Sequence, residues 1–459
     1  MSPSKLIHLV GVGGIGMSAI AEILIRSGYR VSGSDLRTNA ETEKLKSLGA
    51  TIFGSHRAEN VPDARAVVYS SAVPPNNPEI LEAKRRKIPV IPRAEMLAEL
   101  MRMKHSIVVA GAHGKTTTSA MIMTILLKAG FDPTAVIGGR LKQISGNAKI
   151  GTDEWFVAES DESDGSFLRL LPAVAVITNV DREHLDHYGS YAKLEQAFVD
   201  FANRVSFDGI VAICADDPGA SAILPMIEKP VVTYGIDKET DLRAVGIELT
   251  ANGSRFSIVR GEEKFGPVEL PIPGRHNIWN ALASFAVCRH IGAESGKIVE
   301  GLAGFAGIER RLEVKGSVHE IRVVDDYAHH PTEIVATIEA LRAIAGTGKV
   351  RILFQPHRFT RVGDLWDRFL VAFDGADELF MMPIYAASEK PIVGVDAERL
   401  TKEIAQRGKV RAKYVASLEE GITALCQTAA AGDLIATMGA GDVTKAGPLI
   451  LGLLRRTRK

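Results

Sequence analysis

The segment Gly111–Thr117, with the sequence Gly-Ala-His-Gly-Lys-Thr-Thr, follows directly on the apolar run Ser106–Ala110 and leads into a helical pattern that extends to Leu127. A strand that turns through glycines into a helix directs backbone N–H groups and the positive end of the helix dipole at one point, which suits a polyphosphate. Lys115 adds a mobile positive charge for the outer phosphates, and Thr116 adds a hydroxyl for Mg²⁺. The segment therefore predicts a nucleotide-binding strand, loop and helix, and with them an α/β fold.

The loop departs from the common phosphate-binding pattern GxxxxGK[ST], which would place a glycine where this chain has Val109. An ordinary strand-to-helix turn would account for the glycines, but not for a lysine and a threonine at the start of the helix. We therefore expect ATP to contact the whole segment, which consists of Gly111, Ala112, His113, Gly114, Lys115, Thr116 and Thr117.

Length, charge and cysteine content limit the class of protein. A chain of 459 residues is long for one hydrophobic core, and about three domains are expected. Lysine plus arginine and aspartate plus glutamate both number 55, so no net charge favours nucleic acid or an acidic membrane surface as a partner. The three cysteines are far apart and lack CxxC spacing, which argues against disulfides and zinc and favours a reducing compartment. Four glycines interrupt the apolar stretch from Leu6 to Ile25, so we predict a cytoplasmic protein without a signal peptide or membrane span.

Short β-branched runs alternate with helical patterns along most of the chain, which predicts parallel sheets with right-handed crossovers. We predict a Rossmann-like N-terminal domain over residues 1–103, a P-loop ATPase-like central domain over 104–307 and a doubly wound α/β C-terminal domain over 308–459. The polar, turn-rich tract 237–273 is expected to be antiparallel. Besides the run before the loop, the predicted strands are Leu6–Val10, Arg30–Asp35, Ala66–Tyr69, Pro89–Ile91, Trp155–Glu159, Val174–Thr178, Arg322–Asp325, Val350–Phe354, Glu378–Met382 and Asp433–Thr437.

A second nucleotide signal lies near the start of the chain. Gly11-Val-Gly-Gly-Ile-Gly16 fits GxGxxG after a strand, and Asp35 lies 19 residues past Gly16, near the position of a ribose-binding carboxylate in dinucleotide folds. Alone, this pattern would indicate a nicotinamide-dependent dehydrogenase. Because the chain also has the loop at Lys115, it more plausibly holds a nucleotide-linked substrate in the first domain and ATP in the second.

Acidic residues cluster at the end of a strand that looks buried. Glu159-Ser-Asp-Glu-Ser-Asp164 places four carboxylates in six residues, and such crowding is costly unless a cation is present. Hard oxygen ligands facing a phosphate loop predict a Mg²⁺ site, with Glu159 as the chosen ligand. The alternative, a solvated acidic loop, remains open for the residues from Asp161 to Asp164.

Together with the histidine between the two loop glycines, these motifs resemble the Mur ligase family, ATP-dependent enzymes that join amino acids to a cell-wall precursor. The resemblance extends from Gly11 to Asp442. It implies that the first domain binds the UDP part of the substrate through Gly13, Gly14, Gly16, Asp35, His56, Ser70 and Ser71. For His56, a surface histidine without a ligand is the alternative.

The resemblance also assigns ligands for the metal and for ATP. It implies that Thr116, Glu159 and His184 hold Mg²⁺, although histidine is an unusual partner for this ion and a hydrogen-bonding role for His184 stays open. His276, Asn277 and Asn280 would surround ATP, with helix capping as the alternative for Asn277. Arg310 and Arg311 are either a solvated pair or, by the resemblance, part of the hinge and the phosphate environment, and we expect at most one of the two side chains to point inward.

In the third domain, the loops Asp325–Pro331 and Phe354–Arg361 both follow strands, so they fall at the carboxyl edge of the sheet. Arg358 and Arg361 offer forked donors to an amino-acid carboxylate, and the alternative is a salt bridge to Asp364 or Asp367. His329 or His330 would orient or deprotonate the amine.

The resemblance implies UDP-N-acetylmuramate and L-alanine as substrates and an acyl phosphate as the intermediate, with Lys115 and Mg²⁺ neutralising the approach of two anions. Two alternatives remain: a related ligase that adds another amino acid or a peptide to a muramate or folate acceptor, and a nicotinamide-dependent dehydrogenase. We expect a monomer or a weak homodimer.

Overall fold

The structure is a computed structural model that describes residues 5–70, 72–102, 104–141, 146–387 and 389–457. Ser71, a predicted substrate-binding residue, and Met103, a predicted domain end, lie outside the described residues. The chain divides into two compact units. One consists of Met1–Val245, Ser257–Gly266 and Trp279–Ala306, and the other of Gly246–Phe256, Pro267–Ile278 and Gly307–Lys459.

The first sheet has five parallel strands in the order β3-β2-β1-β4-β5. The order reverses direction beside β1, and in open α/β sheets ligands bind at such a switch point, outside the carboxyl ends of the strands. Its strands are β1 (Leu6–Val10), β2 (Arg30–Ser34), β3 (Thr51–Phe53), β4 (Ala66–Tyr69) and β5 (Val90–Pro92). Its helices are α1 (Ile15–Arg26), α2 (Ala40–Ser47), α3 (Pro78–Arg85) and α4 (Arg93–Met101).

The second sheet has ten strands in the order β15-β14-β13-β12-β11-β10-β6-β9-β7-β8. β6, which leads into the phosphate loop, pairs in parallel with β9 on one side and with β10 on the other. The strands are β6 (His105–Ala110), β7 (Thr134–Leu141), β8 (Gly146–Lys149), β9 (Trp155–Glu159), β10 (Val174–Ile177), β11 (Ile210–Cys214), β12 (Val231–Gly235), β13 (Leu242–Thr250), β14 (Gly253–Arg260) and β15 (Glu263–Leu270). The helices are α5 (Lys115–Lys128), α6 (Leu185–Tyr188), α7 (Tyr191–Ala202), α8 (Pro218–Ile223), α9 (Arg275–His290) and α10 (Ser295–Ala303).

The tract predicted to be antiparallel forms β13, β14 and β15. These strands are consecutive in the chain and neighbours in the sheet, and tight turns join them. Only antiparallel strands can be joined by connections this short, so the prediction is confirmed.

The third sheet has the order β16-β17-β21-β18-β19-β20, and only its edge strand β16 is antiparallel among the pairs described. Its strands are β16 (Glu313–Val318), β17 (Ile321–Asp326), β18 (Val350–Phe354), β19 (Glu378–Met381), β20 (Arg411–Tyr414) and β21 (Leu434–Met438). Its helices are α11 (Pro331–Ala345), α12 (Phe359–Asp364), α13 (Trp366–Ala372), α14 (Ala397–Gln406), α15 (Leu418–Thr428) and α16 (Ala446–Thr457).

Burial explains why these strands read as continuous apolar runs. In β6, every residue from Ser106 to Ala110 is buried, as expected for a parallel strand covered on both faces. In β18, Ile352 and Phe354 belong to one core cluster and Leu353 to the cluster on the opposite face. The predicted α/β organisation with parallel sheets is therefore confirmed. Within the described part of the chain, every helix is too short or too polar to cross a lipid bilayer.

Candidate active site

The phosphate loop requires glycine at two positions. Gly111 has a φ of 127° and Gly114, the residue that precedes α5, has a φ of 83°. A Cβ atom on Gly114 would lie 2.6 Å from Asn280 Oδ1, and one on Gly111 would collide with Thr178 Oγ1. Both backbone conformations disfavour L side chains, so the loop can approach its neighbours only through glycine.

The segment after β10 holds the loop in place through His113. The His113 N–H donates to Asn179 Oδ1 over 2.8 Å, and the His113 carbonyl accepts from Asn179 Nδ2 at 2.9 Å and from Thr178 Oγ1 at 2.6 Å. The ring of His113 lies 3.3 Å from Asp181 Oδ2. Sequence reasoning missed the role of Asn179, although a polar pair at the end of a buried parallel strand beside β6 is a usable signal.

Hydrogen bonds to two loop carbonyls and one carboxylate hold the ammonium group of Lys115 at the loop. Its Nζ donates to Gly111 O at 2.5 Å, to Glu162 Oε2 at 2.9 Å and to Ala112 O at 3.3 Å. Burial alone would lower the pKa of Lys115, but the carboxylates of Glu162 and Asp161 raise it above its usual value. Lys115 is therefore a permanent cation at the N-terminus of α5.

A second group of donor atoms lies beside Lys115. One ligand atom from each of Asp161, Glu162 and His184 falls within 4.8 Å of the others. Among the residues that the structure describes, the buried Glu162 Oε1 has no hydrogen-bond partner, and His184 Nε2 lies 3.8 Å from it. A buried carboxylate oxygen with unused acceptor capacity, next to a further carboxylate and an imidazole, fits a divalent cation.

The pKa values in this cluster reflect burial and charge. Burial raises the pKa of Glu162, although Lys115 opposes the shift. Burial lowers the pKa of His184, but the neighbouring carboxylates, first Glu183 and then Glu162, raise it above its usual value. His184 also has a φ of 56°, a conformation that few side chains adopt and that is often found at functional sites.

Thr116 and Glu159 form a separate contact. Thr116 Oγ1 donates to Glu159 Oε2 over 2.7 Å, and the carboxylate of Glu159 occupies the space beside Gly138 that a side chain there would fill. Of the three predicted metal ligands, the structure thus pairs Thr116 with Glu159, while it places His184 with Asp161 and Glu162. Glu162 was not selected from the sequence.

In the first domain, Asp35 stabilises the glycine-rich loop. Gly13 N donates to Asp35 Oδ2 over 2.8 Å, and Arg37 N donates to Oδ1 over 3.0 Å. Asn39 Nδ2 donates to Gly13 O over 2.9 Å. Gly14 immediately precedes α1, so the loop presents the start of this helix at the carboxyl edge of β1.

The other predicted substrate residues lie at the same edge. Gly16 is in the first turn of α1, next to the side chain of Arg93. Ser70 follows β4 and donates its N–H to Val10 O over 3.1 Å. His56 follows β3, with Nδ1 2.8 Å from Ser34 Oγ.

The residues around α9 are divided between the two compact units. Asn280 Oδ1 accepts from Thr118 Oγ1 at 3.2 Å, which places Asn280 beside α5 and the phosphate loop. Asn277 Nδ2 donates to Pro273 O over 2.7 Å, and its N–H donates to Gly274 O, so it stabilises the turn that leads into α9. Burial, together with nearby Arg311, lowers the pKa of His276 to about 4.

The third sheet brings its two predicted loops together. The rings of His329 and His357 are 5.8 Å apart, and His357 stacks on Tyr385 at 5.6 Å. Arg361 NH1 lies 3.3 Å from His357 Nδ1. Burial, with His329 and Arg361 nearby, lowers the pKa of His357 to about 3. The two loops therefore lie next to each other at the carboxyl edge of the sheet.

Three further residues complete this edge. His329 Nδ1 lies 3.2 Å from Glu333 Oε2, and His330 is the N-cap of α11, where its side chain accepts from Thr332 N. Arg358 is exposed with a φ of 68°, and its guanidinium has no hydrogen-bond partner in the part of the chain that the structure describes. The guanidinium group of Arg358 is therefore available to a ligand.

Arg310 and Arg311 both contact the ring of Tyr327, with guanidinium carbons 4.8 Å and 5.3 Å from its centroid. The expectation that at most one of them points inward is wrong. It assumed a helix, whereas Arg310 has a φ of 61° and lies in a turn, where adjacent side chains can converge.

Comparison with known proteins identifies the class. Residues 6–105 match the profile of the Mur ligase family, catalytic domain, residues 109–288 match the Mur ligase middle domain, and residues 310–441 match the Mur ligase, glutamate ligase domain. The chain therefore belongs to the Mur ligase family.

Individual relatives give a finer comparison. The chain is 49% identical over 454 residues to UDP-N-acetylmuramate–L-alanine ligase of Solibacter usitatus (strain Ellin6076), which covers 99% of this chain and 96% of the relative. It is 50% identical over 450 residues to the protein of the same name from Anaeromyxobacter dehalogenans (strain 2CP-C), with 98% of each covered. The crystal structure of UDP-N-acetylmuramate-alanine ligase MurC from Thermotoga maritima has a TM-score of 0.83 and 28% identity, and the match covers 98% of this chain and 99% of that one.

Proposed function

We propose that this Mur ligase joins L-alanine to the carboxylate of UDP-N-acetylmuramate, with conversion of ATP to ADP and phosphate. The names of the relatives reported above support the two substrates. The observation that carries the chemistry is Lys115, a partly buried permanent cation at the N-terminus of α5, in a chain that has a second glycine-rich loop at Gly13.

Electrostatics explain what the phosphate loop contributes. The substrate carboxylate and the γ-phosphate of ATP are both anionic, so their approach is unfavourable unless fixed positive charge offsets it. Lys115 and the free N–H groups at the start of α5 supply that charge. Phosphate oxygens compete with Glu162 and with the loop carbonyls for the ammonium group.

Mg²⁺, when bound, supplies further positive charge at the phosphoryl group that is transferred. Glu162 and His184 fit this ion because the buried Oε1 of Glu162 has no hydrogen-bond partner in the described part of the chain and His184 lies beside it. Thr116 and Glu159, which were predicted from the sequence as Mg²⁺ ligands and contact each other, remain candidate ligands.

The third sheet supplies groups for the amino acid. Arg358 offers an unengaged guanidinium, and Arg361 lies beside His357. These two arginines bind the carboxylate of alanine in our proposal. His329 orients the amine that attacks the acyl phosphate, because its ring is fixed by Glu333 and Tyr327 O.

A phosphate-release assay tests this function. Purified protein is supplied with ATP, Mg²⁺ and UDP-N-acetylmuramate, and each amino acid is added in turn. We expect release that depends on both the muramate and L-alanine. Release that requires another amino acid or a peptide would identify a related ligase, and no release with any acceptor would contradict the proposal.

A further inference from the structure

Glu79, in the first turn of α3, is a fully buried carboxylate that phosphoryl transfer does not use. Its Oε1 accepts from Asn60 Nδ2 at 2.7 Å and from Arg57 N at 3.4 Å, and its Oε2 accepts from Ser34 Oγ at 2.5 Å. Burial alone would raise the pKa of Glu79, but its neighbours lower it below the usual value, first His8, whose Nε2 lies 3.7 Å from Oε2, and then the hydrogen bond from Ser34. The carboxylate is therefore ionised at neutral pH and only accepts hydrogen bonds.

The direction in which the Ser34 hydroxyl donates its proton determines which ring nitrogen of His56 is protonated. A serine hydroxyl has one proton, and Ser34 donates it to Glu79. His56 Nδ1 lies 2.8 Å from the same oxygen, so this hydrogen bond requires His56 Nδ1 to carry a proton and to donate it. A neutral imidazole that is protonated at Nδ1 has a lone pair at Nε2.

The other nitrogen of His56 is available to a ligand. Nε2 has no hydrogen-bond partner among the residues that the structure describes, and the side chain is 16% exposed. His56 follows β3, which pairs with β2 in the first sheet, so it lies at the carboxyl edge with the glycine-rich loop. Nucleotides bind at this edge in open parallel sheets.

We propose that Glu79 is a positioning residue that acts through Ser34 to make His56 Nε2 a hydrogen-bond acceptor for the base of the acceptor nucleotide. The inference rests on the proposed function, which places a uridine nucleotide in the first domain. Uracil presents a donor, its N3–H, at the position where cytosine presents the lone pair of N3. The relay from Glu79 through Ser34 to His56 therefore selects uracil over cytosine.

Substitution of Glu79→Gln reverses the relay. Asn60 Nδ2 and Arg57 N are both donors, so they hold the amide oxygen and direct the NH₂ group toward Ser34. Ser34 then accepts from the amide and donates to His56 Nδ1, which leaves the proton on Nε2. The ratio of the Kd for CDP to the Kd for UDP should fall by about tenfold or more, since a buried donor and acceptor would be mismatched.

Calorimetric titration with UDP and CDP measures this ratio in the full chain. Glu82→Gln is the matched control, because Glu82 lies on the same helix and pairs at the surface with Arg85 at 2.7 Å. Wild type and the control should prefer UDP equally, and in Glu79→Gln the KM for UDP-N-acetylmuramate should rise more than kcat falls. An unchanged CDP to UDP ratio in a folded Glu79→Gln protein would overturn the inference.

Nitrogen-15 NMR of the histidine rings tests the relay without any nucleotide and without a stable variant. His56→Gln identifies the His56 signals, and wild type should show the proton on Nδ1. A proton on Nε2 in neutral wild-type His56 would overturn the inference. Wild type that binds neither nucleotide would instead contradict the proposed acceptor, while the NMR result still decides the relay.

Discussion

At the scale of single residues, the feature of the proposed nucleotide site that matters most is that the positive charge of Lys115 already has partners. Its ammonium group contacts two carbonyls of its own loop and the carboxylate of Glu162. These contacts keep a partly buried charge satisfied before a ligand arrives. In the proposed function, the phosphates of ATP therefore replace existing partners of the ammonium group.

Replacement of Lys115→Ala should lower alanine-dependent ADP formation by about 10²-fold or more, because the fixed charge that offsets anionic repulsion is lost. Binding of UDP-N-acetylmuramate, measured by calorimetry, should be nearly unchanged. Lys128→Ala is the control, since Lys128 lies at the other end of α5 and pairs with Glu300 at the surface. Loss of both activity and muramate binding in Lys115→Ala would count against separate sites.

Replacement of Arg358→Lys should raise the KM for alanine by roughly tenfold with a smaller change in kcat, because an ammonium group cannot reproduce a bidentate contact with a carboxylate. Steady-state kinetics with varied alanine measures this. Arg407→Lys is the control, because Arg407 forms a 2.8 Å pair with Asp374 away from the strand ends. An unchanged KM in Arg358→Lys would remove Arg358 from the carboxylate site.

Lys115 and Thr116 could be selected from the sequence because the loop motif is a short continuous segment. A lysine and a threonine after a glycine at the start of a helix are typical of a phosphate-binding loop. It selected Glu159 from the acidic cluster and did not select Glu162, which the structure places against Lys115. The difference depends on how the chain turns after β9. No spacing rule for carboxylates in an irregular segment determines which of them faces a neighbouring loop.

At the scale of elements, the glycines at the two ends of α5 allow the effect of backbone strain to be compared with the effect of a contact at the phosphate loop. Gly114 and Gly130 flank α5 and both have positive φ values, 83° and 90°. A Cβ atom on Gly130 would meet nothing within 4 Å, whereas one on Gly114 would contact Asn280. A substitution at Gly130 therefore reports only the cost of the left-handed backbone conformation, whereas one at Gly114 also reports the contact with Asn280.

Both Gly114→Ala and Gly130→Ala should destabilise the protein by about 1–2 kcal/mol, the cost of a left-handed conformation for alanine. Only Gly114→Ala should also weaken ATP binding, because the loop must move away from Asn280. Thermal unfolding and ATP titration of the two variants measure these effects. Equal ATP affinity in both variants would show that the contact with Asn280 does not shape the loop.

Strands that read as mostly apolar runs were predicted almost to the residue, as for β1, β4, β9 and β18. β7 and β8 were not predicted. β7 contains Gly138 and Gly139, and β8 has the polar sequence Gly-Asn-Ala-Lys. Short or glycine-bearing strands of this kind form because neighbouring strands supply hydrogen-bond partners, which is information absent from the local pattern.

At the scale of the whole molecule, the loops predicted to bind ligands lie at the carboxyl ends of parallel strands in each of the three sheets. The alternation of elements and the order of the motifs predicted this arrangement. The strand order could not be predicted, because it depends on which strands pair across long connections. β21, for example, lies between β17 and β18 although it is last in the chain.

Acid should destabilise the protein through two partly buried histidines of the second compact unit. The folded-state pKa values of His276 and His357 are lowered from 6.5 to about 4 and about 3. Between these values and 6.5 the unfolded chain binds more protons, so stability falls as the pH drops, by up to about 1.4 kcal/mol per pH unit for each histidine.

Thermal midpoints at about pH 7 and pH 5 measure this dependence. In His276→Gln, which cannot be protonated, the difference between the two midpoints should be smaller than in wild type. His290→Gln is the comparison, because His290 is exposed and its pKa is lowered by a smaller amount. A difference in His276→Gln as large as that in wild type would show that His276 does not contribute.

The hydrogen bonds of Asp35 have a practical consequence for protein engineering. Each carboxylate oxygen accepts one backbone N–H, that of Gly13 or that of Arg37, and keeps a further lone pair, so the sugar hydroxyls of a redox coenzyme would share the oxygens that hold the glycine-rich turn. Removing the Asp35 carboxylate to change the ligand would therefore also loosen this turn, and a graft should keep Asp35 and add a second acidic side chain for the sugar.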